Sequence, residues 1–237
     1  MFSESAELYD IIYGAFKDYS GESDRIAMLL REVHPNARTI LDVGCGTGEH
    51  ARILVERHGL QIDGIDLDPN MLQQARTKNA TGRFQVADMT NFDLERRYDV
   101  ILCLFSSIGY VRTLENVRRT LASFRRNLAD DGVVVVEPWL QPGAFQPGKV
   151  SVTTGESGST KVCRMSYLTV DGSISRIRFE YLIGNASGIR HTSELHELGL
   201  FSSDEMTSAF ETEGFDVRFD PVGLIGRGMH VARPKSS

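Results

Sequence analysis

Nothing in the chain approaches the roughly 20 consecutive apolar residues needed to cross a bilayer. Its start, Met1-Phe2-Ser3-Glu4-Ser5, lacks the basic stretch and apolar core of a signal peptide. These absences point to a cytoplasmic protein with no membrane role. Cysteine is scarce: Cys45, Cys103 and Cys163 are odd in number and irregular in spacing. Each sits in or beside an apolar stretch, so reduced, buried thiols are expected rather than disulfides. No metal-ligand spacing appears. Positive charge is also short, with 26 Lys and Arg against 32 Asp and Glu and a formal net charge of −6. The protein as a whole therefore offers no attraction to nucleic acid, and an anionic substrate must be met by locally clustered Arg and Lys.

What is present suits one large domain, or one domain with a substantial insertion, in 237 residues. The chain is organised around Thr39-Ile40-Leu41-Asp42-Val43-Gly44-Cys45-Gly46-Thr47-Gly48-Glu49-His50. Thr39, Ile40, Leu41 and Val43 have the character of a short buried strand. Three glycines at alternate positions then stop it, and Ala51, Ile53, Leu54 and Val55 begin a helical pattern. Strand, glycine turn and helix open a nucleotide-binding βαβ unit, in which glycines let backbone N–H groups approach a ligand. A phosphate-binding loop would need Gly-Lys-Ser/Thr, and here Gly48 is followed by Glu49-His50. A pyrophosphate would meet Asp42 and Glu49 as like charges. A cationic ligand would not.

A second strand, Gln61–Asp66, places Asp66 where an adenosine ribose is received, although an N-cap role also suits an Asp there. Asp68-Pro69 provides the next helix start, and Met71 and Leu72 fall either near an adenine or in the core. Strand 83–87 ends at Asp88-Met89, and the apolar run 98–105 reads as a central parallel strand. Ser106-Ser107-Ile108-Gly109-Tyr110 follows, then helix 114–128, the turn Ala129-Asp130-Asp131-Gly132, and a strand running into Glu137-Pro138-Trp139. Residues 149–199 differ, reading as four antiparallel strands at 150–154, 161–170, 173–183 and 189–200, with Gly155, Asp171-Gly172 and Gly184-Asn185 as turn signals. Arg176 and Arg178 share the wet face of that layer, with Arg164 nearby. Upstream, Ser23 is placed to cap a helix over 24–33, and Ser202 with Glu205 caps one over 203–213. The expectation is a doubly wound, mostly parallel seven-stranded α/β sheet formed by residues 1–148 and 200–237, with residues 149–199 inserted as an antiparallel β lid.

The Asp-x-Gly-x-Gly-x-Gly run resembles the first motif of the class I S-adenosylmethionine-dependent methyltransferases. Other stretches resemble a narrower group, the N,N-dimethyltransferases of nucleotide-linked 3-amino deoxysugars in macrolide antibiotic pathways. These are Glu7-Leu8-Tyr9-Asp10, Lys17-Asp18-Tyr19, Asp88-Met89, Phe105-Ser106-Ser107-Ile108-Gly109-Tyr110, Gly132 through Trp139, Ser175-Arg176 and Gly226-Arg227-Gly228. The group tends to carry Trp-Trp after Glu-Pro, where this chain has Trp139-Leu140, and an N-terminal tyrosine of the group aligns with Phe2.

The resemblance implies S-adenosyl-L-methionine as cofactor and a nucleotide-linked, dTDP-type amino sugar as substrate, with no nucleic acid or membrane partner and a homodimer allowed. It implies that Asp42, Gly44, Cys45, Gly46, Gly48, Leu67 and Leu104 bind the cofactor, with Asp66 at the ribose and Met71, Asp88 and Met89 at the adenine. Tyr9 and Tyr19 close the methionine end. Phe2, Tyr13, Trp139, Lys149, Ser151, Arg164, Arg176 and Arg227 are the implied substrate residues, with Arg227 reaching phosphate; Tyr13 alternatively packs between helices. Tyr110 and Ser106 stand where they orient the amine or relay its proton, or form pocket wall. Two other readings stay open: another small-molecule N- or O-methyltransferase, and a non-catalytic cofactor-binding subunit. A nucleic-acid methyltransferase is disfavoured, because Phe105-Ser106-Ser107-Ile108 stands where Asn/Asp-Pro-Pro-Tyr/Phe would follow strand four.

Overall fold

The apolar runs become strands whose side chains alternate between two cores. In the computed structural model, which describes residues 6–144 and 146–235, β1 (Thr39–Val43), β2 (Gln61–Asp66), β3 (Phe84–Val86), β4 (Tyr98–Cys103) and β5 (Leu128–Val136) lie parallel. The last pair, β10 (Phe215–Asp220) and β11 (Met229–Pro234), joins them through antiparallel contacts, giving the order β10-β11-β5-β4-β1-β2-β3. Leu41, Val43, Ile101, Val134 and Val136 pack on one face against α5 (Leu114–Asn127) and α6 (Ser203–Thr212). Ile40, Val100, Leu102, Val133 and Val135 pack on the other, against α2 (Tyr19–Val33), α3 (Glu49–His58) and α4 (Pro69–Lys78). A strand buried on both faces has no polar alternation, which is why β4 and β5 read as continuous apolar runs.

Between β5 and α6 the chain leaves this sheet and builds a second one. Strands β6 (Val150–Ser157), β7 (Thr160–Asp171), β8 (Ile174–Asn185) and β9 (Gly188–Gly199) pair antiparallel in chain order. The inner face carries Val162, Ile177, Phe179, Tyr181, Ile183 and Leu198, which pack with Leu8 and Ile12 of α1 (Ala6–Gly14). The lid is thus joined to the body of the protein through the first helix.

Three local expectations change. Helix α2 begins at Tyr19, because Asp18 caps it by accepting from Gly21 N at 2.9 Å, and Ser23 is buried within the helix. Residues 129–132 do not form a free turn. They belong to β5 as a bulge, with Tyr98 opposite Leu128 and Val100 opposite Val133. Gly155 is not a turn either: a Cβ there would stand 2.5 Å from the Ile11 carbonyl oxygen, so the missing side chain lets β6 touch α1. The turn falls at Gly158 instead.

Candidate active site

The glycine loop leaves β1 with its amides turned back on β2. Gly44 N and Cys45 N donate to Ile65 O at 2.8 and 3.1 Å, and Gly46 N donates to Asp66 Oδ2 at 2.9 Å. Gly44 has φ +70°, and a Cβ there would lie 2.7 Å from that of Ser107, so glycine is required on both counts. Gly44, Cys45 and Gly46 line the main cavity and Gly48 does not. Gly48 precedes α3 at φ +71° and is packed against Asn79 and Ala75 of the α4 region, so its place in the motif is explained by helix packing.

Three carboxyl groups border the loop. Asp42 is 5% exposed. Burial and the neighbouring Asp66 push its carboxyl up to about 7, with no cation opposing them among the described residues. Burial also raises Asp66, although it accepts from the backbone of Gly46 and Asp68. Asp88 lies on the exposed wall; Thr90 N and Oγ1 both donate to its Oδ1 at 2.8 Å, leaving Oδ2 as an acceptor. Leu67, Met71, Met89 and Leu104 supply apolar wall on the same side.

Helix α1 closes over this region with aromatic rings. Tyr9 and Tyr13 lie with ring centroids 4.4 Å apart and planes tilted by 42°, and Tyr13 meets Phe105 edge-on at 5.3 Å. The helix is pinned to the glycine loop by Asp10, which accepts from Thr47 Oγ1 and Lys78 Nζ, each at 2.6 Å. Tyr19 meets His50 edge-on at 5.0 Å, and His50 Nε2 lies 3.0 Å from Glu22 Oε2. Lys17 ion-pairs with the same Glu22 oxygen and lies over Phe105. Burial pushes Lys17 and His50 down, whereas the pull of His50 and Lys17 outweighs burial at Glu22 and holds it below its usual range. This buried trio lines the cavity. Sequence reading missed Glu22 and His50; the only signal was Lys17-Asp18-Tyr19, from which Tyr19 alone was taken.

The loop after β4 forms the floor between cofactor side and lid. Phe105 and Ser106 adopt φ of +49° and +67°, unusual for side-chain-bearing residues. Glu137 holds them by accepting from Phe105 N at 2.7 Å. Ser106 Oγ donates to Pro138 O at 3.0 Å and accepts from Arg227 Nη1 at 2.8 Å. At 2% exposure and with its one proton given to Pro138 O, Ser106 braces the turn. Arg227 stacks over Trp139 at 4.8 Å, and Trp139 Nε1 donates to Ser175 of the lid at 2.8 Å. Glu137 escaped the sequence reading although its Glu-Pro-Trp run was singled out.

Beneath the lid, Tyr110 Oη lies 2.9 Å from His196 Nδ1, and His196 Nε2 lies 3.3 Å from Glu194 Oε2. Neither β9 residue was expected, although Glu-x-His on a strand was a readable hint, since alternate residues share a face. Arg164 is inside, 7% exposed, with its guanidinium 4.5 Å from the Phe179 ring and 4.9 Å from Tyr13. Its Nε and Nη1 have no hydrogen-bond partner among the described residues. Arg176 and Arg178 occupy the opposite, outer face. Arg176 is paired with Glu197 and Asp171 and is absent from the cavity wall, so it does not join the other expected substrate residues. Lys149 and Ser151 do line the cavity. Phe2 lies outside the described residues.

The cavity holds about 1420 Å³, more than the roughly 300–1,000 Å³ of a pocket for one small ligand. Its wall carries the acidic, glycine-rich turn region of the main sheet together with Lys149 and Arg164 of the lid and Arg227 of the β10–β11 loop, so it suits two ligands of opposite charge.

A family model for a methyltransferase domain matches residues 40–132. The chain is 40% identical, over 98% of its length and 91% of the other's, to the dTDP-3-amino-3,6-dideoxy-alpha-D-glucopyranose N,N-dimethyltransferase of Streptomyces fradiae. The crystal structure of Streptomyces venezuelae DesVI superposes with a TM-score of 0.91 at 35% identity, covering 97% of this chain and 98% of that one. CalS10, an amino pentose methyltransferase of Micromonospora echinaspora solved with S-adenosylmethionine bound, gives 0.86 at 33% identity over 96% and 97%.

Proposed function

The chain belongs to the S-adenosylmethionine-dependent sugar N-methyltransferases, and on that footing we propose that it N,N-dimethylates the amino group of a dTDP-type nucleotide-linked amino deoxysugar. The single observation that carries this reading is the division of one cavity into an acidic, glycine-lined half and a half lined by Lys149, Arg164 and Arg227.

The acidic half fits the cofactor. Asp42 is a buried carboxyl with no cation beside it among the described residues, and the neighbouring Asp66 also disfavours a phosphate. Gly46 leaves open space where a Cβ would stand. Asp42 would face the cofactor's cationic amino-acid end, Asp66 the ribose and Asp88 Oδ2 the adenine amine, with Tyr9 and Tyr19 shutting out water. When bound, S-adenosylmethionine supplies a methyl group activated by a sulfonium. A neutral amine is already nucleophilic, so the work left to the chain is positioning and desolvation. Arg227 and Arg164 would hold the diphosphate by charge-assisted hydrogen bonds while Tyr110 contacts the amine.

Mass detection of products from S-adenosylmethionine with a panel of nucleotide-linked amino sugars, glycine-like amines and phenols tests the reading. One or two added methyl groups on an amino sugar are expected. Transfer only to another acceptor class refutes the substrate, and cofactor binding without any transfer refutes the enzyme.

The lid's outer face supports a homodimer. Val150 pairs with Tyr167 and Val152 with Met165, and all four are exposed, forming an apolar patch of the kind that marks an interface. Light scattering should give twice the chain mass, and a Met165→Lys/Tyr167→Lys variant should halve it.

A further inference from the structure

Tyr110, His196 and Glu194 form a chain of hydrogen bonds that dictates which way the phenol points. Glu194 and His196 lie two residues apart on β9 and therefore turn to the same, interior face. They are 8% and 1% exposed, and the Tyr181 hydroxyl reaches the same Glu194 oxygen at 3.5 Å. Phe179 meets the His196 ring edge-on at 5.1 Å and fixes its plane. Tyr110 and His196 both line the cavity.

The direction follows from donor and acceptor rules. Glu194 Oε2 already accepts from the Tyr181 hydroxyl, so it acts as an acceptor and the ring nitrogen beside it carries the proton. Burial, acting chiefly against the pull of Glu194, pushes His196 down and keeps its ring neutral. A neutral imidazole has one N–H, so Nδ1 is bare and accepts the Tyr110 O–H. The phenol's proton is then committed, and toward the cavity its oxygen can only accept.

We propose that Glu194 and His196 are positioning residues that hold Tyr110 as a hydrogen-bond acceptor for an N–H of the acceptor amine, keeping the nitrogen lone pair free to attack. This rests on the amino-sugar reading above. A phenol free to rotate would donate to the lone pair and block it. The same device counts methyl groups: each transfer leaves an ammonium that must give its extra proton to water, after which a monomethylated amine keeps one N–H for Tyr110 and a dimethylated amine has none. The substrate is therefore held for two rounds and then loses this contact.

The test compares wild type, His196→Leu, His196→Gln and Tyr110→Phe/His196→Leu at saturating cofactor. His196→Leu should lower kcat roughly 10- to 100-fold, the scale of a lost orientation, with KM for the sugar nucleotide little changed. His196→Gln, whose amide oxygen can accept the phenol proton, should recover most of the loss. The double variant should be faster than His196→Leu, because no hydroxyl remains to bind the lone pair. A His196→Leu enzyme with wild-type kcat, or a double variant no faster than the single, overturns the proposal. Nitrogen-15 NMR of the histidine rings, with no ligand added, should show His196 protonated at Nε2; a proton at Nδ1 also overturns it. A wild type that transfers no methyl to any amino sugar, with His196 nonetheless protonated at Nε2, overturns the amino-sugar reading and this proposal together. Failure among the variants of an active wild type overturns the proposal alone.

Discussion

Arg227 donates through Nη1 to the Ser106 hydroxyl at 2.8 Å, joining the loop before the last strand to the loop after β4. Ser106 sits at φ +67°, and its hydroxyl also donates to Pro138. One contact therefore couples the arginine of the β10–β11 loop to the strained turn that carries Tyr110. Burial lowers Arg227 against the attraction of Glu137, so its charge is poorly solvated and available to an anion.

Arg227→Ala should weaken binding of a dTDP-linked amino sugar roughly 10- to 100-fold, the range for losing a charge-assisted hydrogen bond. S-adenosylmethionine affinity should change little. Calorimetric titration checks both. Unchanged affinity for the sugar nucleotide would remove the diphosphate role.

Asp42 gives a pH signature. Its folded-state value, about 7, lies above the roughly 3.9 of an unfolded aspartate. Between those values the folded protein binds more protons than the unfolded one, so stability falls as pH rises through the window. The ligand-free protein should lose on the order of 4 kcal/mol on this account between pH 4 and pH 7. Asp42→Asn should abolish that portion of the slope in urea denaturation, and S-adenosylmethionine should bind wild type more tightly at pH 8 than at pH 6. Equal slopes in both proteins would show that Asp42 is not the group responsible.

The sheet was legible because β4 and the second half of β5 are buried on both faces and written as apolar runs, 100–103 and 133–136. Strands β1 and β2 are short apolar segments broken only by Asp42, Asp63 and Gly64. That Asp42, Asp66 and Asp88 line the cavity was legible because each lies at or just beyond the C-terminal end of a parallel strand, where ligands of such sheets gather. The wet face of Arg176 and Arg178 was read correctly, and the substrate role of Arg176 came only from the resemblance; the surprise is Arg164, read beside them but turned inward opposite Tyr181. Gly155 looked like a turn because contact with α1 leaves no local mark. His196 and Glu194 matter through Tyr110, 86 residues from His196 along the chain, a relation that only the fold supplies.

Gly155→Ala should loosen α1. A methyl group 2.5 Å from the Ile11 carbonyl oxygen meets backbone, which cannot swing aside, and overpacking of this kind costs about 1–3 kcal/mol. Because α1 carries Tyr9 and Tyr13 over the cavity, the variant should show a lower Tm in calorimetry together with faster cofactor dissociation in stopped flow. A fall in Tm with unchanged dissociation would mean that α1 does not gate the cofactor.

Two arginines on the lid, opposite in face, separate substrate binding from general charge. Arg164 is buried, its Nε and Nη1 without a partner among the described residues and its plane against Phe179 and Tyr13, whereas Arg176 is on the outer face and already paired with Asp171 and Glu197. Each is replaced by Met, which keeps the apolar stem and so limits packing loss. Arg164→Met should raise KM for the sugar nucleotide by roughly tenfold or more, because a buried donor set facing the cavity loses its anion. Arg176→Met should leave KM and kcat within about twofold, since exposed ion pairs contribute about 0–1 kcal/mol. A net-charge effect would weaken both variants alike, and that outcome would refute a specific contact at Arg164.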